Sequence, residues 1–100
     1  MAMTPEAKVK KRIKSLLDAN KVYYHMTVTG GFGKSGTPDF LCCHKGRFFS
    51  IEAKAGTAVT LLQELAMDKI REAGGTAFVV RTHNDVEEGW VELKQYLELP

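Results

Sequence analysis

The sequence predicts an α/β fold with a mixed sheet flanked by helices, in the order α-β-β-β-α-β-α. Apolar residues recur at helical spacing near both ends of the chain and again between residues 60 and 73. Short apolar runs rich in aromatic and β-branched residues lie between these segments. One of those runs is apolar on both faces, which is typical of a strand covered by helices on both sides.

Length and composition limit the class of protein. One hundred residues form one small domain, spanning 1–100, with a single core. No apolar run approaches the roughly 20 residues of a membrane span, and the N-terminus lacks the apolar region of a signal peptide. The adjacent Cys42 and Cys43 are expected to be reduced core residues. We therefore expect a cytoplasmic protein with no membrane partner.

The first helix starts at Thr4-Pro5, which supplies a hydroxyl N-cap and a proline at the first helical position. An apolar stripe follows and the helix ends near Asn20; the stripe consists of Val9, Ile13, Leu16 and Leu17. Glu6 lies on this stripe and faces inward. Glu6 has two interpretations: compensation of the helix dipole, or a carboxylate delivered to the edge of a site.

The next segments are a strand and a glycine-rich loop. Val22 to Val28 alternates as a strand does, and Thr29 to Gly36 follows as a loop. Gly33-Lys34-Ser35 superficially resembles the end of a phosphate-binding P-loop. The first glycine of that motif would fall at position 28, which is Val28, and a strand follows where the motif requires a helix. We therefore predict no nucleotide cofactor, although Lys34 and Ser35 could contact a nucleic-acid backbone.

A β-hairpin is predicted between Gly36 and Gly56. Lys45-Gly46 separates two apolar runs, and glycine accommodates the positive φ of a tight turn. If these two residues form the loop, every opposed pair has the same sum of residue numbers, and Asp39 then lies opposite Glu52. Strand alternation places Lys54 on the same face.

Two carboxylates held this close on an apolar sheet repel each other. A salt bridge to Lys54 would neutralise one of them. A divalent cation would neutralise both, and hard oxygen ligands without histidine or cysteine suit Mg²⁺ or Mn²⁺. Both interpretations of Asp39, Glu52 and Lys54 remain open from the residues alone.

The second half of the chain reads as helix, strand, helix. Thr60 caps a helix that runs to Ala73 and ends at Gly74-Gly75, with inward positions predicted at Leu62, Leu65, Ala66, Ile70 and Ala73. Gln63 lies on the flank of this stripe, where a surface glutamine is the first interpretation. The strand Thr76 to Arg81 is expected to run parallel to the one before the helix. Asn84 or Asp85 caps the last helix, with inward residues Val86, Trp90, Leu93 and Leu97.

Charge is unevenly distributed, although the net charge is only +2. Residues 1–14 are basic and residues 85–100 are acidic. A basic end indicates contact with a polyanion, and a solvated lysine-rich helix face explains the charges equally well.

Pro38-Asp39 followed by Glu52-Ala53-Lys54 is the PD-(D/E)XK pattern of restriction-endonuclease-like nucleases. The pattern has its expected surroundings: a helix with an acidic residue, a hairpin, and a strand–helix–strand unit. Together with Gly36 to Phe40 and Gln63, it resembles the VRR-NUC family, small nuclease domains of phages and DNA-repair proteins. The resemblance covers Glu6 to Leu97. The chain looks like a stand-alone, phage-type member, which we expect in the cytoplasm of a bacterium or of a phage's host.

The resemblance implies a PD-(D/E)XK core and Mg²⁺- or Mn²⁺-dependent hydrolysis of phosphodiester bonds in DNA. By position, Asp39, Glu52 and the Ala53 carbonyl would bind the metal, and Lys54 would orient or deprotonate the attacking water. Glu6 matches the acidic position of the first helix, as a further metal ligand, and Gln63 matches a glutamine near the active site.

Stand-alone members resemble Holliday-junction resolvases, which are dimers that nick opposing strands. The expected partners are therefore branched DNA and a second copy of the chain. DNA contacts are expected from basic and loop residues: Lys8, Lys11, Arg12, Lys34, Ser35 and Arg81. Tyr23, Phe32 and Trp90 are candidates for an apolar dimer surface. The alternatives are a flap, single-strand or sequence-specific nuclease, or a non-catalytic DNA-binding module.

Overall fold

The computed structural model describes residues 3–28 and 36–100. Within these residues it contains three helices and five strands: α1 (Pro5–Ala19), β1 (Tyr23–Met26), β2 (Phe40–His44), β3 (Arg47–Lys54), α2 (Leu61–Glu72), β4 (Thr76–His83), β5 (Val86–Glu88) and α3 (Trp90–Leu97). The strands form one sheet in the order β1-β2-β3-β4-β5. Only the β3–β4 pair is parallel among these strands. The predicted α/β class and mixed sheet are confirmed, with one strand more than expected.

The hairpin β2–β3 has the predicted register. Lys45 and Gly46 form its loop with φ of 52° and 78°, and His44 pairs with Arg47. Positive φ at both loop positions is the type I′ geometry that matches the twist of the two strands. The ladder continues to Phe40 paired with Ile51, so the same register leads on to Asp39 and Glu52.

The main core lies on one face of the sheet, under α1 and α3. From the helices, Ile13, Leu17 and Leu93 are fully buried. They pack with sheet residues that all point to this face: Phe40, Cys42, Phe49, Ile51, Ala53 and Val80. Strand alternation therefore leaves the side chains of Ser50, Glu52 and Lys54 on the opposite face.

Helix α2 covers part of that opposite face. Met67 is 1% exposed, whereas Leu62 and Leu65 are 51% and 47% exposed, so the predicted inward positions of these two leucines are wrong. Relative to the prediction, the helix is rotated about its axis: Gln63 and Met67, one turn apart, face the sheet. The expected burial of both faces of the hairpin is likewise only partly right, because Cys43 and Phe48 are exposed, and Cys43 is not the core residue that was expected.

The last helix begins later than predicted. Asn84 and Asp85 have φ of 47° and 65° and form the turn between β4 and β5, because both residue types tolerate the left-handed region. Gly89, with φ of 82°, then precedes α3, and a Cβ there would lie 2.1 Å from the Val79 carbonyl oxygen. Trp90 is 3% exposed and donates to Thr82 Oγ1, so it is not a dimer surface.

Strand β1 is shorter than the predicted Val22 to Val28. The predictions for Phe32, Lys34 and Ser35 lie outside the described residues. No helix among the described residues combines the length and hydropathy needed to cross a bilayer.

Candidate active site

Asp39 lies at the point where β2 begins, and its carboxylate is anchored to β3. Its Oδ2 accepts a hydrogen bond of 2.8 Å from the backbone N–H of Ala53. The bond ties Asp39 to the residue that separates Glu52 from Lys54. The hairpin thus brings the three charged residues of the predicted motif to one end of β3.

All three side chains are withdrawn from solvent: Asp39 is 6%, Glu52 is 3% and Lys54 is 5% exposed. Charged residues are almost never this buried unless they are paired. Burial first, and then Asp39 as hydrogen-bond partner and like charge, raises the pKa of Glu52 to about 8; Lys54 acts in the opposite sense and Glu6 adds to the rise. Ionisation of Glu52 beside the Asp39 carboxylate is therefore opposed in the absence of a cation.

Gln63 connects α2 to this pair. Its Nε2 donates to Glu52 Oε1 at 3.2 Å, while its own Oε1 accepts from the backbone N–H of Thr60 at 2.9 Å. Thr60 Oγ1 in turn accepts from the Gln63 N–H, which completes a capping box. The interpretation of Gln63 as a surface residue is therefore wrong, since the start of α2 points it at Glu52.

Gly36 holds the start of α2 close to the segment that leads to Asp39. It has φ of +84°, and a Cβ at this position would lie 2.4 Å from the Leu62 carbonyl oxygen. Only glycine combines this conformation with so close an approach. The packing of Gly36 against Leu62 positions the neighbouring Gln63 beside the carboxylate pair.

Helix α1 contributes a residue that the sequence did not single out. Lys10 Nζ lies 3.3 Å from Asp39 Oδ1. Lys10 is one helical turn after Glu6, so the inward position inferred for Glu6 could have indicated it. Glu6 itself is half-buried, and its charge acts on Glu52.

The predicted DNA-contacting residues fall into two groups. Lys8 and Lys11 are exposed on α1. Arg12 instead pairs with Glu87 and stacks on the Trp90 ring at 3.9 Å. Arg81 pairs with Glu88 at 3.3 Å and donates to the Thr57 carbonyl. The two arginines are thus engaged by groups of the chain itself.

The carboxylate pair has the donor chemistry of a Mg²⁺ or Mn²⁺ site. Glu52 Oε2 is buried without a hydrogen-bond donor in the described part of the chain. No group of three or more histidine, cysteine, aspartate or glutamate side chains that could hold a metal is found in residues 3–28 and 36–100. Two carboxylates still fit Mg²⁺, which usually keeps several waters and is bound by one or two carboxylates plus substrate phosphates.

Solved structures of two proteins share this fold. A VRR_NUC domain aligns with a TM-score of 0.69 and 21% identity, over 96% of this chain and 97% of that one. Hjc, a Holliday junction resolvase from the archaeal hyperthermophile Archaeoglobus fulgidus, aligns with a TM-score of 0.62 and 13% identity, over 80% of this chain and 70% of that one. No protein-family model and no curated protein matches the sequence. The resemblance to VRR-NUC nucleases is thereby confirmed at the level of the fold.

Proposed function

We propose that the protein is a Mg²⁺- or Mn²⁺-dependent DNA endonuclease of the VRR-NUC type. The observation that carries the proposal is the buried pair Asp39 and Glu52, in which Glu52 Oε2 has no donor in the described chain. A buried carboxylate pair in which the pKa of Glu52 is raised, with a buried lysine on the same face, is the arrangement expected of a catalytic site rather than of a structural ion pair. The shared fold with a VRR_NUC domain and with Hjc supports the same conclusion.

In this proposal Asp39, Glu52 and the Ala53 carbonyl would hold the metal, and a bound metal would supply a water of lowered pKa and positive charge for the phosphate. The Ala53 N–H and the Gln63 amide each hold one oxygen of the pair, so both carboxylates are oriented before a metal arrives. Lys54 is buried on the Glu52 face and orients or deprotonates the attacking water. Glu6 acts through its charge, which opposes ionisation of Glu52, and its predicted role as a further ligand is not part of the proposal because no third carboxylate joins the pair among the described residues.

The substrate proposed is branched DNA, cut by a homodimer whose two sites nick opposing strands. The fold shared with Hjc, which is described as a Holliday junction resolvase, supports this choice. Phosphate contacts from exposed lysines of α1, Lys8 and Lys11, would supply affinity that falls steeply with salt.

The test compares cleavage of four-way junctions, flaps and linear duplexes in Mg²⁺ or Mn²⁺ by wild-type protein and by Asp39→Ala and Lys54→Ala. Both substitutions are expected to abolish cleavage, and Asp68→Asn on the exposed surface of α2 serves as the matched control. Symmetric nicks on opposite strands of the junction would support the resolvase proposal, whereas preference for flaps or single strands would support the alternative nucleases. Equal cleavage by wild type and both variants would contradict the proposed site.

A non-catalytic DNA-binding module is the remaining alternative. Calorimetric titration of the protein with Mn²⁺, with and without DNA, separates it from a nuclease. Absence of metal binding in both titrations would favour the binding module.

A further inference from the structure

Lys10 places a cation on the carboxylate that the proposed metal would use. Of the two Asp39 oxygens, Oδ2 faces the Ala53 N–H at 2.8 Å and Oδ1 faces Lys10 Nζ at 3.3 Å. The first contact is a backbone bond between buried groups, whereas the second comes from a side chain on another element. The Asp39 oxygen held by a side chain from another element is therefore Oδ1.

Lys10 compensates Asp39 rather than the whole pair. The side chains whose charges act on the pKa of Glu52 are Asp39, Lys54 and Glu6. Lys54 is buried on the Glu52 face, whereas the ion pair of Asp39 is made by Lys10. The two lysines differ in setting, since the Lys10 side chain keeps 25% of its surface exposed.

This setting allows Lys10 to leave. An ammonium group on a flexible four-carbon stem forms weak, non-directional ion pairs near solvent. The charge that Lys10 supplies to Asp39 becomes redundant once a divalent cation is bound, because the cation and the ammonium then repel each other. Lys10 also belongs to the helix that exposes Lys8 and Lys11.

We propose that Lys10 is a displaceable counter-ion: it neutralises Asp39 in the metal-free protein, and metal binding releases it to a phosphate of the DNA. The inference rests on the proposed nuclease function. It gives Lys10 two opposite effects, since its charge opposes metal binding and favours DNA binding in the presence of metal.

The first test is calorimetric titration with Mn²⁺ of wild type, Lys10→Met, Lys10→Arg and the control Lys14→Met, which removes an exposed lysine one turn further along α1. Lys10→Met is expected to bind Mn²⁺ about threefold to tenfold more tightly, since one competing ion pair is removed. Lys10→Arg and Lys14→Met are expected to bind like wild type. Unchanged or weaker Mn²⁺ binding by a folded Lys10→Met would overturn the inference, because a lysine that merely positions Asp39 would weaken the site when removed.

The second test measures DNA affinity against salt concentration, in EDTA and in Ca²⁺, with the absence of cleavage checked on a gel. In Ca²⁺, Lys10→Met is expected to lower the slope of log affinity against log salt by about one, the effect of one lost phosphate contact. In EDTA, where Lys10 stays on Asp39, the slope is expected to be that of wild type. The same slope for both proteins in both conditions would overturn the release of Lys10 to DNA.

Thermal melting of each variant accompanies both tests, and Lys10→Gln replaces Lys10→Met if the latter fails to fold. Failure of the proposed function is distinguishable from failure of this inference. Wild-type protein that binds no Mn²⁺ would overturn the metal site and the inference with it. Wild-type protein that binds Mn²⁺ and cleaves DNA, while Lys10→Met shows no gain in Mn²⁺ affinity, would overturn the inference alone.

Discussion

Glu52 combines a cost in stability with a proposed use in metal binding. Its carboxyl group is 3% exposed, and one of its oxygens has no donor in the described chain. Such a group is costly to ionise in the folded protein and inexpensive to ionise in the unfolded chain. A site built to receive a cation has this property, since the cation supplies the missing interaction.

The metal-free protein is therefore expected to lose stability as the pH rises. Burial and Asp39 raise the pKa of Glu52 from 4.5 to about 8 in the folded state. The associated stability is complete below the unfolded pKa and is lost as the pH rises through the folded pKa. Between pH 6 and 9 in EDTA, urea unfolding of wild type should show a loss on the order of 2 kcal/mol, and Glu52→Gln should show a smaller loss.

The quantity compared is the slope of unfolding free energy against pH. Any effect of Glu52→Gln on the buried Lys54 that does not depend on pH cancels in this comparison. Asp68→Asn, on the exposed surface of α2, is the control and should keep the wild-type slope. Addition of Mn²⁺ at pH 9 should raise the unfolding free energy of wild type but not that of Glu52→Gln. Equal losses for wild type and Glu52→Gln in EDTA would contradict the raised pKa.

At the scale of elements, the start of α2 serves the helix and the site with one side chain. Gln63 caps the helix through its Oε1 and holds Glu52 through its Nε2. Glutamate at this capping-box position would keep the cap, because it too accepts from the Thr60 N–H. Glutamate cannot donate to Glu52 and would bring a third negative charge to the pair.

Gln63→Glu and Gln63→Ala therefore separate the two roles. Gln63→Ala should lower the unfolding free energy by about 1 kcal/mol through loss of the cap. Gln63→Glu should keep the cap and raise the pH at which metal-free stability is lost, since another carboxylate opposes ionisation of Glu52. Urea unfolding from pH 6 to 9 measures both effects, with exposed Glu64→Gln as the control. Identical pH profiles for Gln63→Glu and wild type would contradict the contact with Glu52.

The parts of the fold that could be predicted are those set by neighbouring residues. The loop Lys45-Gly46 determines the register of the hairpin, and the register alone leads from Asp39 to Glu52. The Asn84-Asp85 pair was ambiguous, since the same residue types cap helices and occupy left-handed turns. The structure uses them in a turn and starts α3 after Gly89.

The parts that could not be predicted depend on how distant elements pack. The orientation of α2, with Met67 buried and Leu62 and Leu65 exposed, differs from the one that its helical periodicity predicts, and the close packing of Gly36 against Leu62 is a contact that the periodicity does not encode. Lys10 reaches Asp39 because α1 packs against β3, and the charges along the chain indicate it only through the inward position of Glu6 one turn earlier. Sequence predicted the motif residues, and tertiary packing adds the side chains that surround them.

At the scale of the whole molecule, α1 carries basic residues with different tasks. Arg12 joins α1 to the C-terminal part of the chain through Glu87 and Trp90. Arg12→Met should therefore lower the melting temperature by several degrees, because it loses an ion pair and a cation–π contact. Lys11→Met, at an exposed position, should leave the melting temperature nearly unchanged and weaken DNA binding.

Thermal melting and DNA titration of the two variants measure this division. Lys14→Met, also exposed, is the control for removal of any charge from α1. A melting temperature for Arg12→Met equal to that of wild type would contradict a structural role for Arg12.

The proposed homodimer needs an apolar surface, and the described chain exposes one on α2. Leu61, Leu62 and Leu65 are 74%, 51% and 47% exposed on the same helix that delivers Gln63 to the site. Burial of large apolar side chains is what holds such interfaces together, and a buried unpaired charge strongly opposes them.

If α2 pairs with its copy, Leu65→Glu should shift the protein from dimer to monomer in sedimentation at micromolar concentration. Val91→Glu is the matched control, because Val91 is 62% exposed on α3 and lies outside this surface. Since each site is built within one chain, monomeric Leu65→Glu should still bind Mn²⁺ and nick DNA, but its nicks on a four-way junction should no longer be paired. A wild-type protein that sediments as a monomer with and without DNA would contradict the homodimer, and a dimeric Leu65→Glu would place the interface elsewhere.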